Sequence, residues 1–215
     1  MTDTKVIMAY GDSLTLGADA EHDARHAYED RWPTVLERGL GGKARMIAEG
    51  LGGRTTAFDD FSAADRNGAR ILPTMLSTHS PLDLVILFLG TNDLKPYMHG
   101  TAFQASLGIK RLVEIIRYFP YNRRAAVPKI VIVSPPFLGE TEHPEFGPMF
   151  SPDGIAESRL FAKYYARAAD QLGCGFFDAA TVATVSPFDG IHLDAGNTRA
   201  IGEGLVPVVK RVLGL

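Results

Sequence analysis

The chain has 215 residues, 46% of them hydrophobic and 22% charged, and its 22 lysines and arginines stand against 25 aspartates and glutamates for a formal net charge of −3. This length and composition describe one globular domain over residues 1–215 with a sizeable core, neither disordered nor membrane-like. The basic residues are scattered, Arg123-Arg124 being the nearest thing to a run, which argues against nucleic acid as a partner, and the single cysteine, Cys174, excludes an intramolecular disulfide and a Cys-based zinc cluster.

Short apolar runs alternate with longer amphipathic ones, a βαβα rhythm that predicts a parallel sheet covered by helices on both faces. Strands are expected at 5–10, 44–48, 84–89, 130–134 and 175–178. The third and fourth are continuous apolar runs, as central parallel strands buried on both faces should be. Helices are expected at 27–39, 67–78, 102–118, 155–172 and 197–213. In the third of these, Leu107, Leu112, Val113, Ile115 and Ile116 form an apolar stripe, with Lys110, Arg111, Glu114 and Arg117 on the wet side. Pro73 predicts a kink or a late start in the second. The stretch 135–152 is the one long loop, expected to act as a lid or binding wall and to contact a neighbouring subunit. Residues 1–10 lack the features of a signal peptide and no stretch reaches membrane-spanning length, so the expected location is cytoplasmic, without a membrane partner.

Four segments carry candidate chemistry. The first strand runs into Gly11-Asp12-Ser13-Leu14, which puts Ser13 outside the carboxyl end of a strand, where open parallel sheets place their ligands. A serine there is often only a turn or cap residue, and a nucleophilic hydroxyl also needs a base and donors for the developing negative charge. The base candidate is His192 in Asp189-Gly190-Ile191-His192, with Asp189 close enough to fix the ring's tautomer. Capping is the plainer reading of that segment, and Asp194 is available as the cap. Gly50-Leu51-Gly52-Gly53-Arg54 and Gly90-Thr91-Asn92-Asp93 follow the second and third strands and offer the Gly53 amide and the Asn92 side chain as oxyanion donors. Each alone also reads as an ordinary turn.

Taken together and in this order, Ser13, Gly53, Asn92 and His192, with Asp189 three positions before the histidine, resemble the four blocks of the SGNH (GDSL-type) hydrolase family. The resemblance spans nearly the whole chain. It implies a three-layer α/β/α fold with a flavodoxin-like central parallel sheet, and an esterase with Ser13, Asp189 and His192 as catalytic residues. It further implies an oxyanion hole from Ser13, Gly53 and Asn92, and neither metal nor cofactor. The surroundings Tyr10 to Gly17, Arg31-Trp32-Pro33, Gly53-Arg54-Thr55-Thr56 and Gly90 to Leu94 look like the bacterial arylesterase and acyltransferase branch. That branch implies short acyl or aryl esters, acyl transfer to alcohols or peroxide, and a homo-oligomer. The same residues would also serve a thioesterase or lysophospholipase acting on longer chains. A non-catalytic carbohydrate-binding or scaffold protein is the rival of another class.

Asp12, Trp32 and Phe137 are candidate substrate-binding residues, although a lone aromatic such as Trp32 is as often core. His22, His26, His79, His99 and His143 lack metal-ligand spacing. The His22 and His26 pair, beside Asp19 and Asp23, reads as a solvated loop. Arg54 is expected to be structural, paired with Asp59 or Asp60. Cys174, between two glycines, reads as a small buried residue rather than a reactive thiol.

Overall fold

The computed structural model describes residues 4–19, 21–98, 100–123 and 125–215; His99, Arg124 and the first three residues of the amino-terminal segment considered above lie outside the described residues. In chain order the elements are β1 (Lys5–Gly11), α1 (Ser13–Leu16), the two-residue strands β2 (Ala18–Asp19) and β3 (Ala24–Arg25), α2 (Trp32–Gly39), β4 (Ala44–Gly50) and α3 (Gly68–His79). There follow β5 (Leu84–Phe88), α4 (Ala102–Tyr118), β6 (Lys129–Ser134), α5 (Pro152–Ser158), α6 (Phe161–Leu172), β7 (Gly175–Asp178) and α7 (Ala195–Leu213).

Five strands form a parallel sheet in the order β4-β1-β5-β6-β7, while β2 and β3 pair antiparallel as a separate ribbon. Side chains alternate across each strand, so the sheet divides the core in two. Met8, Tyr10, Val85, Leu87, Ile130 and Ile132 pack with residues of α3, α4 and α6 on one face. Ile7, Ala9, Leu84, Ile86, Phe88, Val131 and Val133 pack with α2 and α7 on the other. This is the three-layer α/β/α arrangement. The strand order reverses between β1 and β5, and in open sheets the crevice at the carboxyl ends of two such strands is where ligands bind.

The α4 helix has the expected bounds because Thr101 and Gln104 form a reciprocal capping box at its start. Three other expectations need correction. The helix expected from residue 27 begins at Trp32, with Pro33 preset for a first turn and a short 3-10 turn before it. The single helix expected over 155–172 is two: Arg159 and Leu160 donate to Ala156 and Glu157, three residues back, and the Ser158 hydroxyl accepts from the Leu138 amide, so the α-helical ladder stops. Pro73 neither ends nor delays α3, which starts at Gly68 under an Asn67 cap.

Candidate functional site

All the singled-out polar segments follow the carboxyl ends of strands or, for Asp189 to His192, precede α7. Ser13 is the first residue of α1, so its amide has no acceptor within the helix, and its side chain is half-buried. Asp12 is the cap of that turn. Its Oδ1 accepts from the Leu14 amide at 3.0 Å, and the residue is only 1% exposed. Asp12 is therefore not open to a substrate, and the expectation that it binds one is corrected. It supports the turn that presents Ser13.

The turn carrying His192 is closed by its own aspartate. Asp189, with no exposed surface, accepts from the Ile191 and His192 amides through Oδ1, each at 2.9 Å, and meets His192 Nδ1 through Oδ2 at 2.5 Å. Burial alone would raise the Asp189 pKa, but the hydrogen bonds from the ring and the two amides, with the ring's charge, outweigh it and hold the carboxyl below its usual range. With Nδ1 engaged, Nε2 is the nitrogen left for chemistry. Capping of α7 falls to Asp194, whose Oδ1 accepts from the Asn197 amide at 2.7 Å. Phe146, from the long loop after β6, packs edge-on against the His192 ring at 5.9 Å, so that loop walls the site.

The segments that hold the two candidate oxyanion donors are tied to each other and to the strand that precedes Ser13. Gly53 has φ +79, a left-handed conformation that glycine adopts without strain. Asn92 donates from Nδ2 to the Arg54 carbonyl at 3.2 Å, which leaves its second amide hydrogen for another acceptor. Gly90, at φ +135, lets the chain turn off β5 against Tyr165, whose hydroxyl would clash with a Cβ there. Arg54 is 3% exposed; it donates through Nη1 to the carbonyls of Gly11 and Glu49, and its guanidinium lies 4.2 Å from the Tyr10 ring centroid. It is structural, as expected, but its expected carboxylate partners are engaged elsewhere, Asp59 with Arg70 and Asp60 with Lys95.

Beneath these two segments lies a feature the sequence reading missed. Asp93, fully buried, accepts from both the amide and the hydroxyl of Thr56, joining the turn after β4 to the turn after β5. Burial pushes its pKa up to about 7, against the Thr56 hydrogen bonds and with help from the Asp12 charge. Burial likewise raises Asp12 to about 6, opposed by the Leu14 amide and the charges of His192 and Arg54. Both groups bind a proton more tightly folded than unfolded, so their contribution to stability is full below about pH 4 and is lost as pH rises through about 6 and 7. The denaturation midpoint should therefore fall across that window. Asp12→Asn, which removes one of the two ionisations, should flatten the fall and stabilise the fold at pH 8 by about 1–3 kcal/mol relative to its effect at pH 4. A pH dependence identical in the two proteins, measured by chemical denaturation, would refute this.

The two aromatic candidates lie in different settings. Trp32 has no exposed surface and packs edge-on against Phe88 at 5.9 Å, so it belongs to the core; a side chain without accessible surface cannot line an acyl pocket. Phe137 is 37% exposed, with the Arg159 guanidinium 5.3 Å from its ring centroid. The solvated reading of His26 is also corrected: it is 7% exposed, and its Nε2 lies 2.8 Å from the Leu193 carbonyl, next to His192 in sequence. The described residues hold no cluster of three or more histidine, cysteine or acidic side chains able to bind a metal, and no described helix is long and apolar enough to cross a membrane. Cys174 lies away from this site, its Sγ 3.8 Å from Arg117 Nη2. Burial raises its thiol pKa, against the pull of Arg117, as suits an unreactive position.

The model of the GDSL-like Lipase/Acylhydrolase family matches residues 9–197. A carbohydrate acetylesterase family member from Sinorhizobium meliloti is 55% identical over 99% of this chain and 100% of its own, with a TM-score of 0.96. The native aryl esterase of M. smegmatis is 38% identical over 98% of this chain and 100% of its own, with a TM-score of 0.92. Est24, a carbohydrate acetylesterase from Sinorhizobium meliloti, is 34% identical over 97% and 99%, also with a TM-score of 0.92. A search of curated proteins gave no match. Fold and comparisons define the class as a carboxylic ester hydrolase of the SGNH type. Within that class the chain belongs to the GDSL-like lipase/acylhydrolase family.

Proposed function

We propose that this esterase hydrolyses short-chain acyl esters of aryl or sugar alcohols through a covalent acyl-enzyme on Ser13. The observation that carries the reading is the buried Asp189 carboxylate held 2.5 Å from His192 Nδ1, which orients the ring and stabilises its charged form. His192 takes the Ser13 proton as Oγ attacks the ester carbonyl. The oxyanion is met by the Ser13 and Gly53 amides and the Asn92 side chain, and the alcohol leaves with the proton from His192. Water then repeats the cycle on the acyl-enzyme, and an alcohol or peroxide in its place gives acyl transfer. The aryl and acetyl preference is supported by the descriptions of the aryl esterase and carbohydrate acetylesterase neighbours. An activity series over acyl chain length on one alcohol tests it: the optimum should fall at acetyl to butyryl, and a maximum at long chains would favour a thioesterase or lysophospholipase instead.

Asn92→Ala should lower kcat by about 10²-fold with little change in KM, because an oxyanion donor acts most strongly once the oxygen is charged. Losing the Asn92 bond to the Arg54 carbonyl should also cost about 1–2 kcal/mol of stability, so kcat is compared under conditions where both proteins are folded. A destabilised variant with full kcat would show that Asn92 serves only the turn.

A further inference from the structure

Acyl transfer to Ser13 divides the ester into two halves that occupy different places. As the Ser13 Oγ–acyl bond forms and the ester C–O bond breaks, the proton that His192 took from Ser13 passes to the departing oxygen. That oxygen must then lie at the His192 ring, and the rest of the alcohol extends from there. Phe146 covers the ring from one side, edge-on at 5.9 Å. Elsewhere His192 walls a hollow of about 140 Å³ shared with Asp19, Glu21, His26, Ser186 and Asp194.

These walls are held in place. Glu21 Oε1 accepts from the Ser186 hydroxyl at 3.0 Å, and Ser186 in turn donates its amide to the His192 carbonyl at 2.7 Å. Asp19 engages His22 Nδ1 at 2.8 Å and faces His26 Nδ1 at 3.5 Å. Among the described residues no lysine or arginine lines the hollow; Arg25 and Arg31, close in sequence, donate to the Leu16 and His26 carbonyls.

We propose that this hollow is the leaving-group subsite, and that Asp19 and Glu21 make it a charge filter that accepts neutral, hydroxyl-bearing alcohols and rejects anionic ones. The inference rests on the Ser13–His192 reading given above. Carboxylate oxygens accept hydrogen bonds from hydroxyl groups, while an anion held about 7 Å from one carboxylate is disfavoured about threefold even in a water-like dielectric, and more where water is excluded. Esters and thioesters whose leaving groups carry phosphate or carboxylate are thereby poor substrates.

The test compares kcat/KM for methyl 4-acetoxybenzoate and for its free carboxylate, 4-acetoxybenzoate, each divided by its rate of hydroxide hydrolysis. The wild-type enzyme should prefer the neutral ester by about tenfold, and the preference should shrink in about 0.5 M salt because the hollow is open to solvent. Glu21→Gln should reduce the preference about threefold and Glu21→Lys further. Glu21 is exposed, so these variants should fold, as circular dichroism can check. Equal use of the two esters by the wild type, or a preference unchanged in Glu21→Lys, would overturn the filter. In parallel, intact-mass measurement after treatment with an active-site organophosphate reads Ser13. A labelled serine without charge preference overturns the subsite alone, and an unlabelled one overturns the catalytic reading as well.

Discussion

Ser13→Ala should reduce ester hydrolysis by about 10³-fold or more while leaving the fold intact. The side chain is small, half-buried and outside both halves of the core, so its hydroxyl contributes little to packing. The turn that presents it is held by the Asp12 carboxylate and by the amides of Thr15 and Leu16 donating to the Asp12 carbonyl, none of which needs the serine oxygen. On the proposed mechanism the variant loses the atom that carries the acyl group, and what remains is whatever the oxyanion donors and binding would achieve with water. Steady-state kinetics on an aryl acetate, with circular dichroism as the control, measures both. Full activity in a folded variant would refute the assignment of Ser13, and His192→Ala should behave alike.

Asp189→Asn should lower kcat/KM by about 10³- to 10⁴-fold, the scale expected when the wrong tautomer is imposed in such an arrangement. The physical reason lies in how the carboxylate is occupied. Oδ1 takes two amides and can be replaced by the amide oxygen of asparagine, so the turn keeps its backbone bonds. The NH₂ group then faces His192 Nδ1, which must give up its proton to accept, and Nε2 is left protonated and useless as a base. The substitution also removes a carboxylate whose pKa is depressed by folding. Its ionisation stabilises the protein above about pH 4, a contribution lost as pH falls through the lower folded value, so the variant should be less sensitive to acid. Unchanged kcat/KM across pH would refute the role assigned to the pair.

The sheet was legible because its strands are short apolar runs stopped by glycine or polar residues, and the observed bounds differ from the expected ones by at most two residues at either end. The positions of Ser13, Gly53 and Asn92 after strands followed from the same pattern. The breaks in helices were harder to see, since the stop after Ser158 depends on a hydroxyl captured by Leu138, twenty residues earlier in the chain. Trp32 illustrates a different limit. An aromatic beside a catalytic block reads equally as wall or core, and only the packing against Phe88 decides it. Asp93 was visible within Gly90-Thr91-Asn92-Asp93, but nothing local announces that it reaches Thr56, thirty-seven positions away. The burial of His26 escaped for the same reason, because His26 meets the Leu193 carbonyl from far along the chain.

Ser13 and His192 stand at opposite ends of the order in which the chain is made. The segment that carries His192 is brought back to the amino-terminal elements by α7 docking against α2, where the Trp32 amide donates to Thr198 Oγ1 at 3.2 Å, and by His26 reaching the Leu193 carbonyl. On the mechanism proposed above the serine, made early just after β1, stays an ordinary hydroxyl until α7 has been made and has packed against the sheet. On that mechanism, hydrolytic power arrives only once α7 is in place, and chains that stop before it would present no activated serine.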